Sequence, residues 1–438
     1  MSLLNSIVYK FPFGNPAERG FWLYKTVPPS FLRKIEEENF RHTVKFVYEH
    51  SKFYKKQFDE RKIDPSKIKT PADLGDFYTT PEDIRKSPDD FVCLKADTAY
   101  ESTGTTSKKT KRVYFSRTEV KEAGWAGAVG LWGLGIRPED RMASAFDYSF
   151  WVSGPVLQAS CEVQGWFHVE AGRLDPADFY ERLSDYKLSV IVGDPSWLLA
   201  LTEIAEKKGA WPLKLMIGGG ENMTEETRLY IEGVWKHRFI LSYGQTEAFG
   251  AIGMESLGRE GYHLNEFHNF FEIINRDAEG YGELVYTTLN RRVMPLLRYR
   301  SGDITRFLTG SSKIGFPGRR IEKLKGRVDE WTPTGMGNIA PWMFESVFTA
   351  LPGITADWQI VIDKENNRDR LVFHLEGKKE AAGDRLKEEI FSRIKKEFAD
   401  AWKMHEMGLF YFGLELHSEG ALRGNERKLK RIVDRRKF

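Results

Sequence analysis

The sequence predicts an α/β architecture of several sheets in a large N-terminal region, with a smaller α+β unit after it. Three observations carry that expectation. Strand-like apolar runs alternate with helical stretches between about residues 112 and 244. Close-set strands follow from Phe270. A separate pattern of helix, two strands, helix and strand starts near Gly326 and fills about 110 residues, an ordinary size for a small domain.

Taken in order, the region up to about Asp90 reads as helical with loops. Phe31–Phe53 has amphipathic spacing and many charges. In TTPEDIRKSPDDF, Thr80 is placed to cap a helix, with Pro81 at its first position and Glu82 and Asp83 in its first turn. Strands are expected at RVYFS (112–116), RMASAF (141–146), SVIVG (189–193), LKLMIGG (213–219) and RFILSYG (238–244). Helices are expected between them at Arg117–Gly133, Pro176–Tyr186, Trp197–Lys208 and Thr224–Val234. FFEIIN, GELVYTTL and LLRYRSGDITRFL read as strands. In the last unit the expected elements are a helix over Pro341–Ala350, strands at 358–362 and 370–376, a long charged helix over Glu380–Trp402 and a strand at 409–416.

Composition excludes several classes. With 41% apolar and 29% charged residues over 438 positions, the chain is globular and long enough to bury a large core. Two cysteines, Cys93 and Cys161, are too few for a disulfide framework or a cysteine-built zinc site. The longest weakly polar run, Ala123–Ile136, is too short to span a bilayer. The opening MSLLNSIVYKFPFGN lacks the pattern of a secretory leader, so a cytoplasmic protein with reduced thiols is expected. The net charge of +3 supports neither a nucleic-acid nor a membrane partner. That balance is uneven: Leu422–Phe438 carries +6 and the rest of the chain −3. The basic tail is either a solvated end or an element that meets an anion.

Four segments hold residue types suited to nucleotide chemistry. In YESTGTTSKKTKRVYFS, hydroxyl residues surround Gly104 and basic residues follow, a set of donors and cations that suits a polyphosphate, although the Walker A spacing is absent. In SYGQTEAFG, Tyr243 can stack on a base, Thr246 can bond a phosphate and Glu247 can hold Mg²⁺, all at a strand's C-terminal end. In RYRSGDITRF, Asp303 can accept two ribose hydroxyls or simply shape a turn. KGRVDEW marks the expected junction between domains.

Together and in this order, the segments resemble the acyl-adenylate-forming (acyl-CoA synthetase) superfamily, in its phenylacetate–CoA ligase-like branch. STGTTSKKTK resembles the family's phosphate loop, SYGQTE its Y-G-x-[ST]-E motif and MPLLRYRSGDIT its MPxxRYRTxDLT segment. KGRVDE resembles its hinge, NIAPWMFESVF the helix after it and RKLKRIVDRR its C-terminal lysine motif. SKFYKKQFDE, YTTPEDIRKSPDDF, GDPSWLLALTEIAEKKG and GGGENMTEETR extend the resemblance over nearly the whole chain.

The resemblance implies an AMP-binding adenylation domain over 1–325 and a small mobile lid over 326–438. It implies ATP-dependent activation of a carboxylic acid as acyl-AMP, then transfer to a thiol, with CoA as the expected acceptor and Mg²⁺ as cofactor. Thr103, Gly104, Thr105, Thr106 and Lys108 would then hold the β- and γ-phosphates. Tyr243 and Gly244 would lie at the adenine, Thr246 at the α-phosphate and Glu247 on Mg²⁺. Asp303 would take the ribose, Arg327 would lie near the nucleotide and Asp329 would be the hinge. Lys428 would be the catalytic lysine, with Arg427 and Lys430 as the alternatives in so basic a run. Tyr148, Phe150, Trp151 and Gly219, with Ile217, would line a pocket for an aryl or apolar acid. His263 and His268 read as satisfied buried histidines or substrate-side donors rather than metal ligands. A homodimer is compatible with this reading.

The phosphate loop departs from the family's pattern at Ser107 and Lys109, and the hinge at Glu330. Met336 falls where the family carries a glycine lining the thiol's path. That leaves two alternatives open: transfer to a carrier protein, an enzyme cysteine or a cofactor hydroxyl, or a relative that binds nucleotide without catalysis.

Overall fold

The computed structural model describes residues 14–102, 110–221, 223, 225–289, 291–310, 312, 317–328, 332–348, 351, 353–366, 368–377, 384–423 and 429–436. The chain divides into two compact units, Met1–Lys323 and Leu324–Phe438.

The larger unit opens with helices Pro16–Thr26, Pro29–His50 and Lys52–Arg61. The amphipathic stretch that the sequence joins across residues 31–53 is thus two helices. Ser51 is extended (φ −96°) and its hydroxyl accepts from Tyr54 N, so one residue ends the first helix and caps the second. Thr80 caps the helix Pro81–Lys86 as expected, in a reciprocal box with Asp83.

Strands β1 (Thr98–Ser102) and β2 (Lys111–Phe115) form an antiparallel ribbon. The main sheet follows: β3 (Arg141–Ser144), β4 (Phe167–Glu170), β5 (Val190–Gly193), β6 (Leu215–Gly219), β7 (Arg238–Gln245), β8 (Gly250–Glu255) and β9 (Tyr262–Leu264). β10 (Asn269–Ile274), β11 (Gly282–Thr288) and β12 (Tyr299–Thr305) make a separate antiparallel meander. β13 (Phe307–Leu308) and β14 (Arg320–Ile321) return to the main sheet, whose order is β13-β14-β9-β8-β7-β6-β5-β3-β4. From β4 to β7 the neighbours are parallel; from β7 to β13 they are antiparallel. The change falls at β7. Full burial of β5 and β6 explains their unbroken apolar runs.

Helix Arg117–Gly133 has the expected bounds and packs Ala128 and Leu131 into the core cluster with Met142, Val190, Ile217 and Ile240. The helix expected over 176–186 stops at Leu183 and tightens into a 3₁₀ turn that ends on Lys187 in the left-handed region.

The smaller unit begins with β15 (Gly326–Arg327), a hairpin of β16 (Thr332–Thr334) and β17 (Gly337–Ile339), and a 3₁₀ turn, Pro341–Met343, running into a short helix, Glu345–Phe348. The helix expected over Pro341–Ala350 is therefore divided. β18 (Ile354–Glu365), β19 (Arg368–Gly377), β20 (Tyr411–Ser418) and β21 (Ile432–Asp434) form one sheet in the order β20-β19-β18-β21. The charged helix expected over Glu380–Trp402 is also broken. Helices Asp384–Glu397 and Ala399–Glu406 meet at Phe398, whose backbone leaves the helical region (φ −127°, ψ 54°) while its ring packs 5.0 Å from Phe344. Phe344, Phe348, Phe373, Ile390, Ile394 and Phe412 form the centre of this unit's core. Among the described residues, no helix is long and apolar enough to cross a membrane.

Candidate active site

The C-terminal end of β7, where the main sheet changes from parallel to antiparallel, gathers the polar residues of two motifs. Open sheets place ligands at such ends. A Cβ on Gly244 would stand 2.3 Å from the Gly250 carbonyl oxygen, so only glycine allows the bulged pairing of β7 with β8 at this point. Tyr243 Oη donates to Asp303 Oδ2 at 2.5 Å, and Gln245 Nε2 donates to the same oxygen at 2.6 Å. Gln245 Nε2 also reaches the Ser301 carbonyl at 3.2 Å, and its Oε1 accepts from Tyr286 Oη at 3.0 Å. Gly302 supplies the positive φ (+80°) that lets β12 bulge against β11 before Asp303. Asp303 is buried, and two side chains of the tyrosine motif orient it.

The chain then turns through Thr246–Ala248 and leaves by Phe249 in the left-handed region (φ 54°). Thr246 Oγ1 donates to the Glu101 carbonyl at 3.3 Å. Glu247 is 2% exposed, and Lys111 of β2, itself 7% exposed, forms an ion pair with its Oε1. Tyr299 Oη donates to that oxygen at 2.9 Å and Ser102 Oγ at 3.3 Å; Lys111 Nζ also reaches Tyr299 Oη at 3.1 Å. Burial alone would raise the Glu247 pKa, but the Lys111 ammonium and these donors hold it below the usual carboxylate range. The residue the sequence marks as a cation ligand is therefore ionised and already faces a cation.

A second basic residue lies close by. Arg291 is 8% exposed, and none of its three guanidinium nitrogens has a hydrogen-bond partner among the described residues. Its guanidinium lies 3.9 Å over the Phe115 ring, and Phe115 packs on Phe249 at 4.6 Å. Burial lowers the Arg291 pKa to about 10, against the pull of Glu119, Tyr286 and Glu247, so it stays charged at neutral pH. His268 Nε2 is likewise buried without a partner among the described residues, and burial with the nearby Arg291 charge lowers its pKa to about 4. His263 Nδ1 does meet the Pro317 carbonyl at 3.0 Å.

The residues proposed for the acid pocket divide. Tyr148 Oη bonds Ser144 Oγ, which lies 3.0 Å from His168 Nε2, at the ends of β3 and β4. Burial lowers the His168 pKa to about 4, so this ring is neutral. Gly219 packs closely: a Cβ there would lie 2.7 Å from Ser242 Oγ and 3.4 Å from Phe146. Ile217 is in the core and Trp151 is half-buried. Phe150 is 62% exposed and contributes its carbonyl to Glu101 N at 2.8 Å.

Thr103, Gly104, Thr105, Thr106, Lys108, Asp329, Arg427 and Lys428 lie outside the described residues. Arg327 is half-buried on β15. Lys430 is exposed, and its carbonyl accepts from Gln359 Nε2 at 2.8 Å. Met336 packs against the smaller unit's core cluster, where its side chain is held. Sequence reasoning passed over Lys111, Gln245, Tyr299 and Arg291. Lys111 was visible only as part of a basic run; its place on β2, facing inward beside the exposed Arg112, was the signal.

Known proteins resemble this chain along most of its length. Residues 337–436 match the model of the AMP-binding enzyme C-terminal domain. The phenylacetate–coenzyme A ligase of Thermus thermophilus is 28% identical over 369 residues, covering 80% of this chain and 83% of that protein. Its counterpart in Aromatoleum evansii is 27% identical over 429 residues, covering 92% and 94%. The chain is thus similar to phenylacetate–coenzyme A ligases over most of its length, and its smaller unit matches the C-terminal domain of AMP-binding enzymes. Its fold agrees: a 2-hydroxyisobutyryl-CoA ligase in complex with an acyl-AMP superposes with a TM-score of 0.81 at 20% identity, over 97% of this chain and 94% of that one. O-succinylbenzoate coenzyme A synthetase from Bacillus subtilis, solved with ATP and a magnesium ion, superposes with a TM-score of 0.52 at 17% identity, over 74% and 67%.

The acyl-adenylate-forming family uses Mg²⁺ with ATP, and the residues here fit that ion. An ionised carboxylate, Glu247, next to the Thr246 hydroxyl is the oxygen donor set that suits Mg²⁺ held mainly by substrate phosphates. A dication there would compete with the Lys111 ammonium for Glu247.

Proposed function

We propose that this protein is an AMP-forming acid–thiol ligase. It activates a carboxylic acid with ATP and passes the acyl group to CoA. The observation that carries the reading is the pair of carboxylates at the end of β7: Asp303, oriented by Tyr243 and Gln245, and Glu247, buried and ionised two residues beyond Gln245. One is suited to hydroxyls and the other to a cation. A nucleotide needs both.

In the first step a carboxylate oxygen of the acid attacks the α-phosphorus of ATP, and pyrophosphate leaves. In the second, the CoA sulfur attacks the acyl carbonyl, and AMP leaves. The chain's contribution is positioning and charge compensation. Asp303 holds the ribose hydroxyls, Tyr243 and Gly244 shape the adenine side, and Thr246 sits at the α-phosphate. Glu247 carries Mg²⁺, which neutralises phosphate charge when bound. The phosphate loop at 103–108 takes the outer phosphates. In the smaller unit, from about residue 326, Lys428 bridges the acid and α-phosphate, Arg327 faces the nucleotide and Asp329 is the hinge. Tyr148 and Gly219, with Trp151 and Phe150 nearby, favour an aryl or apolar acid. Cytoplasmic residence fits these substrates.

Two observations favour CoA over an enzyme cysteine or a blocked thiol path. Burial pushes both the Cys93 and Cys161 thiols up to about 12, which leaves them unreactive at neutral pH. Met336, at the turn between β16 and β17, is packed into its own unit's core. The test is ATP–pyrophosphate exchange across a panel of aryl and aliphatic acids, followed by CoA addition. Acid-dependent exchange and a CoA thioester are expected. Absence of exchange with every acid would reject the reading, and exchange without thioester would reject CoA.

A further inference from the structure

The smaller unit carries a cluster that nucleotide chemistry leaves unused. β19 and β20 run parallel, with His374 opposite Glu415 and Glu376 opposite His417. Leu371, Phe373 and Leu375 of β19 enter the core, so His374 lies on the other face of the sheet, in register with Glu415 and two residues from His417's partner. His374 Nδ1 is 2.8 Å from His417 Nε2. Glu415 Oε2 is 3.4 Å from the first nitrogen and 3.9 Å from the second.

We propose that His374, Glu415 and His417 form a binding site for a divalent transition-metal ion, with Zn²⁺ as the reference ligand. Two imidazoles and a carboxylate are a donor set for Zn²⁺, Co²⁺, Ni²⁺ or Fe²⁺ rather than for Mg²⁺ or Ca²⁺. Zinc bonds of about 2.0–2.2 Å place tetrahedral ligand atoms roughly 3.3 Å apart, and the three separations bracket that value. At 2.8 Å the two facing nitrogens cannot both carry protons, so at least one presents a lone pair inward. The neutral ring is the ligating form. His374 has 13% of its side chain exposed, His417 30% and Glu415 56%, so the site opens to solvent and its remaining positions belong to water or an exogenous ligand.

The site's position gives the ion a structural consequence. β20 lies at one edge of its sheet. After it the chain turns, and the Gly420 and Leu422 N–H groups donate to the Glu376 carboxylate at 2.8 and 2.5 Å. An ion held by residues of both strands clips this edge to β19 directly before that turn.

The test uses the full-length, tag-free chain, stripped with a chelator and titrated with Zn²⁺ by calorimetry and with Co²⁺ by visible absorption. One ion per chain is expected. His417→Asn and His374→Asn should each weaken binding by at least about a hundredfold, the upper end of what the loss of an outer-shell contact costs, and abolish the Co²⁺ band. Glu415→Gln, at an exposed position that the fold tolerates, should weaken binding with unchanged circular dichroism, which covers the case of a histidine variant that fails to fold. Absence of binding by the wild-type chain at micromolar metal, the outcome if the two rings merely share a proton, would overturn the site. So would binding that all three variants leave unchanged.

Discussion

Lys111 and Glu247 set the terms of the candidate site. Both are almost fully buried, and each is the other's counter-charge. Removing one partner of a buried pair costs about 3–5 kcal/mol. Lys111→Met should therefore lower unfolding free energy by that amount in denaturant titration. It should also make Mg²⁺ alone raise the melting temperature of the variant more than that of the wild type, since the dication then meets an unpaired Glu247. An equal shift in both would argue against competition for this carboxylate. Asp303 gives a different signature. Hydrogen bonds to a charged group contribute about 1.5–3 kcal/mol, so Asp303→Asn should raise the KM for ATP in pyrophosphate exchange by roughly tenfold to a hundredfold and leave the KM for the acid little changed. Arg291 was not legible in the sequence as anything but one of two adjacent arginines. Its burial over Phe115 and its three nitrogens, unpartnered among the described residues, emerge only from packing.

Among the elements, helix Arg117–Gly133 is tied into the site at its first turn. Glu119 Oε2 accepts from Ser116 N and Oγ in the capping box, while its Oε1 accepts from Arg292 N at 2.6 Å and Val293 N at 3.0 Å. One side chain thus caps the helix and holds the loop that carries Arg291. Glu119→Ala would strand these donors, and a loss of about 3 kcal/mol is expected from a lost cap and unsatisfied buried N–H groups. Thermal unfolding checks it; a loss below about 1 kcal/mol would mean that water satisfies the loop. The helix start at Thr80 and the strands of the main sheet were legible in sequence because local chemistry specifies them. Thr80 and Pro81 mark a helix start whatever surrounds them, and β5 and β6 are apolar throughout because both faces are covered. The breaks were not legible. Phe398 interrupts a run of good helix formers because its ring is needed against Phe344, a contact between residues far apart in sequence. Lys111 likewise reads as one more lysine until β2 pairs with β1 and turns it inward.

Over the whole molecule, stability should carry the mark of a buried carboxylate remote from β7. Burial and the neighbouring Glu266 raise the Glu36 pKa from 4.5 to about 8, and the Arg319 charge only partly offsets them. The native state then holds a proton that the unfolded chain releases. The stability due to Glu36 is complete below pH 4.5 and is lost as pH rises through about 8. Glu36→Gln should flatten the fall in unfolding free energy over that window, and an unchanged slope would assign the proton elsewhere. The α/β class was legible because strand-like runs alternate with helical stretches through the middle of the chain. The long basic tail acquired its expected role only through family resemblance, because its lysine is recognised by motif and not by surroundings. The central claim is that this chain joins an acid oxygen to the α-phosphorus of ATP. Incubation of the enzyme with ATP, CoA and an accepted acid labelled with ¹⁸O in its carboxylate tests it most directly. Mass spectrometry should find one ¹⁸O in the AMP released. Thioester formation with unlabelled AMP, or with the label in inorganic phosphate, would contradict the account.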